Sequence, residues 1–300
     1  MPFALRMKNL TVGLVCLLVL LMSSELDAGP LRFVTFNVWG DWVGNYVCER
    51  DEQQVKAVLR LKPDILALQE MTPNYWKGRL LGGLTGYGVI GEQADWCNYV
   101  PLAYRRDVFE LVEGGALRFD ASLEYTKGVT WGVFRVRETG AILIAFSTHF
   151  WWKNERPVAD DFIRKTNVRD LAAKVAELRK KYQGAPVIGG GDLNSEPDSC
   201  VMAEVARLGL TDVQSTFPGA SDAVTLHGYP ERIPGTASWR GHMPGEGGRP
   251  KGALLDHVLY CGPLMPKAYA VDSGEDFRNT SDHFPVVVDF ELGNEFKRKE

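Results

Sequence analysis

The sequence lacks the features that mark several large classes of protein. Its 34 basic and 38 acidic residues leave a formal net charge of −4, so it does not hold nucleic acid mainly by bulk positive charge. None of its five cysteines has the close paired spacing of a zinc site. No internal repeat, low-complexity segment or linker follows residue 30, which excludes repeat architectures and leaves one globular domain as the expectation.

Long apolar runs are also scarce, and the longest lies near the N-terminus. It extends from Leu10 to Met22, about 13 residues, and follows Arg6 and Lys8. This pattern is typical of a secretory signal peptide, whereas a membrane span needs roughly 20 apolar residues. The sequence therefore predicts a signal peptide over residues 1–28 and a secreted or periplasmic protein. An uncleaved membrane anchor is the alternative.

The rest of the chain has an ordinary globular composition, with 45% hydrophobic and 24% charged residues. We expect one domain over residues 29–293 and a solvated tail over residues 294–300. Short apolar runs predict eight strands, within segments 31–38, 64–70, 100–105, 130–136, 141–150, 186–194, 253–260 and 284–292. Periodic apolar residues predict helices around 55–59, 168–178 and 201–208, the last capped by Asp198 or Ser199. The segment 135–146 predicts a hairpin that turns at Glu138 to Gly140. Such mixed elements, including a hairpin, indicate an α+β fold or mixed α/β layers.

Polar side chains stand at or near the ends of six of these strands. They comprise four carboxylates, two amides and two imidazoles, namely Asn37, Glu70, His149, Asp192, Asn194, Asp256, Asp282 and His283. Each alone is explained as a strand cap or turn residue. If the ends converge, however, four acids would repel one another unless a cation neutralised them. Oxygen donors without cysteine favour Mg²⁺, Mn²⁺ or Ca²⁺, and such a cation beside imidazoles suits phosphoester hydrolysis.

The motifs that carry these residues follow one another in a characteristic order. "TFNV", "LQE", "STH", "GDLN", "LLDHVLY" and "SDH" cover the chain from Asn37 to His283. In this order and spacing they resemble the endonuclease/exonuclease/phosphatase superfamily of deoxyribonuclease-like, metal-dependent phosphoesterases. The resemblance implies an α+β fold of the four-layer αββα type, with two packed sheets between helices. It also implies that the active site lies where the strand ends of the two sheets meet.

The resemblance assigns three of the polar residues to the metal. Glu70 resembles the principal metal-binding acid of the superfamily. Asn37 and Asp282 would complete the surroundings of the ion, in part through water. The expected ion is Mg²⁺, or else Mn²⁺ or Ca²⁺.

The other five residues would carry the chemistry. Asp192 would orient or deprotonate the attacking water, and Asn194 would hold the phosphate or the nucleophile. His149 and His283 would donate to phosphate oxygens. Asp256 would orient His283 and fix its tautomer.

The function implied by these roles is that of a secreted, divalent-metal-dependent phosphoester hydrolase. A phosphodiesterase, nuclease-like or sphingomyelinase-like, is the first expectation, with nucleic acid or a phospholipid headgroup as substrate. A phosphomonoesterase on inositol-type polyphosphates is the alternative. A binding protein without activity on the same fold would be expected to have lost Glu70, Asp192 or His283, and all three are present.

Substrate choice is expected in the loops around the site. Two loops carry aromatic residues, namely Trp39, Trp42, Tyr46, Trp151 and Trp152. These rings would stack on bases, pack on a sugar or make transient contact with a membrane surface, unless they pack between loops. Basic candidates for a second phosphate are Lys127, Arg240, His242, Arg249 and Lys251, and a solvated surface is the alternative. We expect a monomer.

Export would leave four cysteines in an oxidising compartment, where disulfides form. Cys261 would lie roughly 16 Å along its strand from Asp256 at the active-site end. Cys200 begins a helix near that end, so the two are too far apart for a bridge, which needs α-carbons within about 7 Å. We therefore favour a disulfide between Cys48 and Cys97, both in irregular segments. Free thiols are the alternative.

Overall fold

Two six-stranded sheets form the centre of the molecule. The structure is a computed structural model and describes residues 30–42, 44–91, 98–218, 220 and 223–293. The first sheet contains β1 (Leu31–Asn37), β2 (Ile65–Gln69), β3 (Tyr87–Ile90), β4 (Leu102–Arg105), β13 (Leu264–Val271) and β14 (Val286–Leu292). Its strand order is β13-β14-β1-β2-β4-β3.

The second sheet is built largely from the middle of the chain. It contains β5 (Phe109–Arg118), β6 (Gly128–Val136), β7 (Ile142–His149), β8 (Val187–Asp192), β9 (Thr211–Asp212) and β12 (Asp256–Cys261). Its strand order is β5-β6-β7-β8-β12-β9. A separate two-stranded ribbon pairs β10 (Glu231–Arg232) with β11 (Trp239–Arg240).

Helices cover the outer faces of both sheets. Four helices accompany the first sheet: α1 (Asp51–Leu61), α2 (Pro73–Lys77), α3 (Arg79–Gly83) and α6 (Glu275–Arg278). Their apolar residues share one core with Val34 and Phe36 of β1. Two helices cover the second sheet, α4 (Pro157–Lys181) and α5 (Cys200–Arg207), and pack on Ile144 and Phe146 of β7.

A third core fills the space between the sheets. Phe33 of β1, Phe134 of β6 and Val258 of β12 all belong to it. Because successive side chains of a strand point to opposite faces, β1 sends Phe33 inward and Val34 towards the helices. Both faces are buried, which explains the nearly continuous apolar run of this strand. The predicted four-layer αββα sandwich is confirmed.

Local signals also match the sequence. Ser199 caps α5, and its hydroxyl accepts a hydrogen bond from the Met202 amide at 3.2 Å. The hairpin between β6 and β7 turns at Gly140, which has a φ of +75°. Both features were predicted from residue type alone.

Three predictions lie outside the described residues: the signal peptide over residues 1–28, the tail over residues 294–300 and the partner cysteine Cys97. Cys48, Cys200 and Cys261 are free thiols. The free thiols of Cys200 and Cys261 agree with the distance argument, whereas the free Cys48 thiol contradicts the favoured pairing with Cys97. Within the described ranges, no helix is long and apolar enough to cross a membrane.

Candidate active site

The first sheet brings four predicted residues to one edge. Asn37 ends β1 and pairs in register with Gln69 at the end of β2, so Glu70 follows directly beside it. β14 lies antiparallel to β1 on the other side, with Val286 opposite Thr35. Asp282 and His283, just before β14, are thereby delivered to the same edge.

The second sheet places three more residues side by side. In the parallel pair β7 and β8, His149 lies opposite Asp192. In the antiparallel pair β8 and β12, Asp192 lies opposite Asp256. Asp192 thus occupies the central strand of the three, flanked by an imidazole and a carboxylate.

The glycines before Asp192 are required by close packing. A Cβ on Gly189 would lie 2.3 Å from the ring of Phe146, and one on Gly191 would lie 1.7 Å from the carbonyl oxygen of Thr148. Both distances are far shorter than real Cβ contacts allow. The glycines therefore let β7 approach β8 closely, which sets the positions of His149 and Asp192.

Asn37 joins the two halves of the site. Its Nδ2 lies 3.2 Å from Glu70 Oε1 and 3.1 Å from Asp192 Oδ2, while its Oδ1 accepts from the Trp39 amide at 3.0 Å. In this orientation Asn37 presents its amide donors to both acids, and its oxygen is engaged by the Trp39 amide through one of its two lone pairs. Its predicted role as a metal ligand therefore stays a prediction, and the structure shows it as the bridge between the sheets.

Glu70 is held in one orientation by three donors. Its Oε2 accepts from the Gly40 amide at 2.7 Å and from the Trp42 indole at 2.8 Å, and its Oε1 accepts from Asn37. A carboxylate oxygen has two lone pairs, so Oε2 is saturated and Oε1 retains one free position. Glu70 also has a φ of +62°, an uncommon backbone state for a non-glycine residue that clusters at functional sites.

The donor set at this edge fits a divalent cation. Asp282 Oδ1 is buried and has no hydrogen-bond partner among the described residues. Burial, and also the nearby carboxylate of Glu70, raises the pKa of Asp282 to about 7, although His283 opposes this shift. A hard cation bound by Glu70 Oε1 and Asp282 Oδ1 would supply the missing partner and remove the repulsion.

Asp256 and His283 form the best-defined pair in the site. Asp256 Oδ2 lies 2.7 Å from His283 Nδ1, and His283 Nε2 lies 3.8 Å from Asp192 Oδ2. Burial lowers the pKa of His283, but Asp256 and Asp282 outweigh it and hold that pKa well above its ordinary value. Ligand atoms of Asp192, Asp256 and His283 lie within 4.8 Å of one another. Because the Asp256–His283 hydrogen bond occupies the facing atoms, the geometry favours a carboxylate–imidazole–carboxylate chain over a second ion site.

A second imidazole stands on the other side of Asp192. His149 Nε2 lies 3.4 Å from Asp192 Oδ2 and 3.2 Å from Asn194 Nδ2. Asn194, with a φ of +48°, also donates its amide to Asp192 Oδ1 at 2.9 Å. Burial opposes ionisation of Asp192, yet the charges of His149 and His283 hold its pKa well below the ordinary value. Asp192 is therefore suited to orienting water rather than to storing its proton.

Lys127 lies within this cluster. Its Nζ is 3.0 Å from His149 Nε2, and the residue is only 5% exposed. Burial lowers the pKa of Lys127, while the carboxylates of Glu70 and Asp192 oppose that shift. The structure thus places this phosphate-contact candidate beside the acids, and its role stays a prediction.

Arg50 supports the site and was missed from the sequence. Its guanidinium is buried and donates to the carbonyl oxygens of Val38, Trp39, Asn45 and Thr280 at 2.5–3.2 Å. These contacts tie the loop after β1 to the segment before Asp282. No motif marks Arg50, because an arginine at the start of a surface-like helix is usually solvated.

The aromatic loops do not all face solvent. Trp151 is 4% exposed, and its indole donates to Asp160 Oδ1 at 3.0 Å. The expectation that this ring is available to a substrate or a membrane is therefore wrong, because it packs inside. Trp39 is also buried and lies against the Arg50 guanidinium at 4.6 Å. Trp42, Tyr46 and Trp152 remain exposed.

The basic loop is only partly available for a phosphate. Arg249 pairs with Glu231 at 2.5 Å. Arg240 and His242 instead line a cavity of about 530 Å³ together with Arg278 and Asn279. Neither Arg240 nor Arg278 has an ion pair within the described part of the chain.

Comparisons with known proteins agree with this architecture. Nocturnin from Drosophila melanogaster is 23% identical over 272 residues, a match covering 79% of this chain and 41% of that protein. The chain thus spans about two fifths of the length of the curated relative it matches. The human Nocturnin catalytic domain with bound sulfate has a TM-score of 0.65 at 20% identity, covering 87% of this chain and 94% of that one.

Two further solved structures share the fold. The mannosyl-6-phosphatase of Bacteroides thetaiotaomicron VPI-5482 has a TM-score of 0.65 at 21% identity, covering 87% of this chain and all (100%) of that one. D. rerio TDP2 complexed with single-strand DNA product has a TM-score of 0.63 at 17% identity, covering 87% and 99%.

A family model described as Endonuclease/Exonuclease/phosphatase family matches residues 34–283. This range contains all eight predicted site residues, which converge at one end of the two sheets. The chain therefore belongs to the endonuclease/exonuclease/phosphatase family, whose members are hydrolytic, metal-dependent phosphoesterases.

Proposed function

We propose that the chain is a secreted phosphodiesterase that depends on a divalent cation and directs water at phosphorus. One observation carries the proposal. A buried, ionised Asp192 is faced by two imidazoles and joined through Asn37 to Glu70. This arrangement presents a water-orienting acid between donors for phosphate oxygens, with metal-type oxygens beside it.

Each residue has a distinct task in this mechanism. A cation held by Glu70 and Asp282 would offset phosphate charge and polarise a phosphoryl oxygen. Asp192 accepts a hydrogen bond from the attacking water and aligns it. His283, fixed by Asp256, and His149 donate to phosphate oxygens as negative charge develops on them.

A diester fits the charge of the site better than a monoester. A phosphodiester carries one negative charge, whereas a monoester carries nearly two at neutral pH. Within the described ranges, Lys127 is the one Lys or Arg side chain that contacts any of the eight site residues. Beside the imidazoles and the expected cation, the site thus supplies the charge of one lysine, which suits a singly charged phosphate.

A polyphosphate monoesterase is the second candidate, and one observation favours it. Arg240 and Arg278 line the cavity beside Asn279, three residues before Asp282, and neither forms an ion pair within the described ranges, although Glu246 and Glu275 line the same cavity. Such a cavity is suited to a second phosphate of the same substrate. The mannosyl-6-phosphatase neighbour is named for a monoester substrate.

Nucleic acid is the preferred diester in this proposal. The D. rerio TDP2 structure contains a single-strand DNA product, and exposed aromatic rings beside the site are suited to bases. A phospholipid headgroup is supported less well, because Trp151 is buried. Secretion rests on the apolar run before residue 23 and is tested by mapping the N-terminus of exported protein.

One substrate panel tests the proposal. Purified protein is incubated with DNA, RNA, sphingomyelin and inositol phosphates in Mg²⁺, Mn²⁺ or EDTA, and the Asp192→Asn variant is the matched control. The proposal expects release from a diester that requires the metal and Asp192. Release from inositol phosphates alone selects the monoesterase, and no metal-dependent release from any substrate refutes both.

A further inference from the structure

A group of stacked aromatic rings borders the metal-binding acid Glu70. The Trp42 ring stacks on Tyr99 with centroids 5.6 Å apart and planes inclined by 20°. Tyr99 in turn meets Tyr125 edge-on at 5.7 Å. Tyr99 is buried, whereas Trp42 is 49% and Tyr125 is 56% exposed. We call Trp42, Tyr99 and Tyr125 the aromatic platform.

The platform is joined to the acid by a specific contact. The same indole that stacks on Tyr99 donates its Nε1 hydrogen to Glu70 Oε2 at 2.8 Å. The backbone is adapted to this placement, because a Cβ on Gly40 would lie 2.4 Å from Trp42 Nε1. The Tyr99 carbonyl oxygen also accepts from the Met71 amide at 3.0 Å, directly after Glu70. Stacking on Tyr99 and the hydrogen bond to Glu70 therefore fix the position of the indole, which is not a mobile surface ring.

Folding does not explain why the Trp42 ring is half exposed. A tryptophan that served only to orient Glu70 would gain free energy by burying its faces. Trp42 instead keeps about half of its surface open beside the site, 49%. A rigid, half-open aromatic face is the kind of surface on which the rings of nucleotides and sugars stack.

We infer that the aromatic platform is a ring-binding subsite. It selects substrates in which the group esterified to the phosphate contains a ring and lies on the side of Glu70. This inference rests on the proposed phosphoesterase function and names its substrate class. The shared chemistry is a flat ring face, contributed by a nucleobase or by a sugar. Trp42 also acts as a positioning residue, because the same indole would contact the substrate ring and orients Glu70.

Binding of non-hydrolysable ligands tests the subsite without turnover. The probes are the monomethyl esters of phosphonates in which CH₂ replaces the bridging oxygen of glycerol phosphate, ribose 5-phosphate and AMP, so each carries one negative charge, as a diester does. Glycerol phosphate has no ring, ribose 5-phosphate adds a sugar, and AMP adds a base. Their affinities are measured by calorimetry with Mn²⁺ present, and Mn²⁺ affinity is measured separately without ligand.

Two variants of Trp42 separate its two roles. Trp42→Ala should lose the advantage of ring-bearing probes over the glycerol probe, roughly tenfold for a stacked base, and should also bind Mn²⁺ more weakly. Trp42→Phe keeps a ring without the N–H donor, so it should retain most of the ring advantage while still binding Mn²⁺ more weakly. If the bound ring is a nucleobase, only the AMP probe should bind more tightly than the glycerol probe. If it is a sugar, the ribose 5-phosphate probe should bind more tightly as well.

Tyr46→Ala is the matched control. Tyr46 is exposed on the same loop, and its side chain makes no hydrogen bond or ring contact within the described part of the chain. This variant should match the wild type with all probes. Tyr229→Ala tests another exposed ring, which packs on Trp39 at 5.9 Å.

Three results would overturn the subsite. They are the lack of a ring preference in the wild type, equal weakening of all three probes in Trp42→Ala, and loss of the preference in Tyr229→Ala while Trp42→Ala keeps it. In each case binding of the glycerol probe with Mn²⁺ would leave the proposed function standing. Absence of metal-dependent binding for every probe would instead refute the proposed function.

Discussion

His283 Nδ1 lies 2.7 Å from Asp256 Oδ2, and this hydrogen bond joins the two sheets at the active site. Asp256 begins β12 of the second sheet, whereas His283 precedes β14 of the first. The bond fixes which imidazole nitrogen faces Asp192. A change at Asp256 should therefore act through the orientation of His283.

The first prediction concerns this pair. Asp256→Asn keeps the shape but offers an amide in place of the acceptor, so His283 loses its fixed tautomer. We expect turnover to fall about 10- to 100-fold, as for other residues that orient a reacting imidazole, with little change in Mn²⁺ affinity. Steady-state kinetics and calorimetry check this. Unchanged turnover would mean that the pair serves folding alone.

The second prediction concerns Glu70. Glu70→Gln removes the ligand charge and retains the size of the side chain, so Mn²⁺ affinity and turnover should both collapse while the melting temperature changes little. The matched control is Glu110→Gln, an exposed acid on β5 that lies opposite Arg135, at the end of β6 away from His149. Normal turnover of Glu70→Gln at low Mg²⁺ would remove Glu70 from the metal site.

The third prediction concerns the pH dependence of stability. His257 is buried, with Nδ1 2.9 Å from Asp212 Oδ2 and Nε2 2.9 Å from the Ser195 carbonyl oxygen. Burial lowers the pKa of His257, but Asp212 outweighs it and the folded-state pKa is raised. The stabilisation is therefore fully present below the unfolded value of about 6.5 and is lost as pH rises through the folded pKa.

Asp212→Asn should accordingly cost more at pH 6 than at pH 9. A hydrogen bond to a charged group contributes about 1.5–3 kcal/mol, and this sets the expected loss in the free energy of unfolding at pH 6. Urea unfolding at both pH values measures it. An equal loss at pH 6 and pH 9 would show that His257 stays neutral.

The fourth prediction concerns the buried arginine. Arg50→Met removes a donor that four carbonyl oxygens share. Those of Val38 and Thr280 keep the Gln54 amide, whereas those of Trp39 and Asn45 lose this charged donor, so the free energy of unfolding should fall by about 3 kcal/mol or more. Arg50→Lys keeps the charge but lacks the planar fork and should recover only part of this loss. Arg249→Met, which breaks an exposed pair with Glu231, should cost at most about 1 kcal/mol. Similar losses for Arg249→Met and Arg50→Met would contradict the supporting role.

The fifth prediction concerns the glycines of β8. Gly191→Ala forces a methyl group against the Thr148 carbonyl, so we expect a loss of about 1–3 kcal/mol or more and reduced turnover. Gly82→Ala is the control, because nothing lies within 4 Å of its Cβ position. That helical substitution should be neutral or stabilise by about 0.5–1 kcal/mol. If Gly191→Ala has the same midpoint of denaturant unfolding as the wild type, the packing account is wrong.

Several features could be predicted because they leave local signals. The eight predicted strands all occur, since each buries at least one face and so needs an apolar run. Ser199 and Gly140 were found from turn and cap chemistry. The eight site residues were found because each follows or opens such a strand. Their convergence in space was implied only by the resemblance. It depends on the order of the strands in the two sheets, and a local residue pattern does not determine that order.

Other features left little signal. β3, β5, β9 and β13 were missed, and they are the four edge strands of the two six-stranded sheets. The side chains of β5 and β13 are mostly exposed. β13 even carries Pro266 and Lys267, residue types that protect an edge strand and hide it from an apolar pattern. Trp151 and Trp152 are adjacent and chemically identical, yet one is buried and one exposed. That difference depends on tertiary contacts with α4, which a sequence pattern does not report.

The most direct measurement is the rate of phosphodiester hydrolysis by Asp192→Asn at saturating Mg²⁺. This variant keeps the metal acid Glu70 and both imidazoles but loses the carboxylate that orients water. The account predicts a fall in turnover of about 100- to 10,000-fold, with the melting temperature and Mn²⁺ affinity close to those of the wild type. Turnover within a factor of about three of the wild type would contradict the central claim that Asp192 directs water at phosphorus.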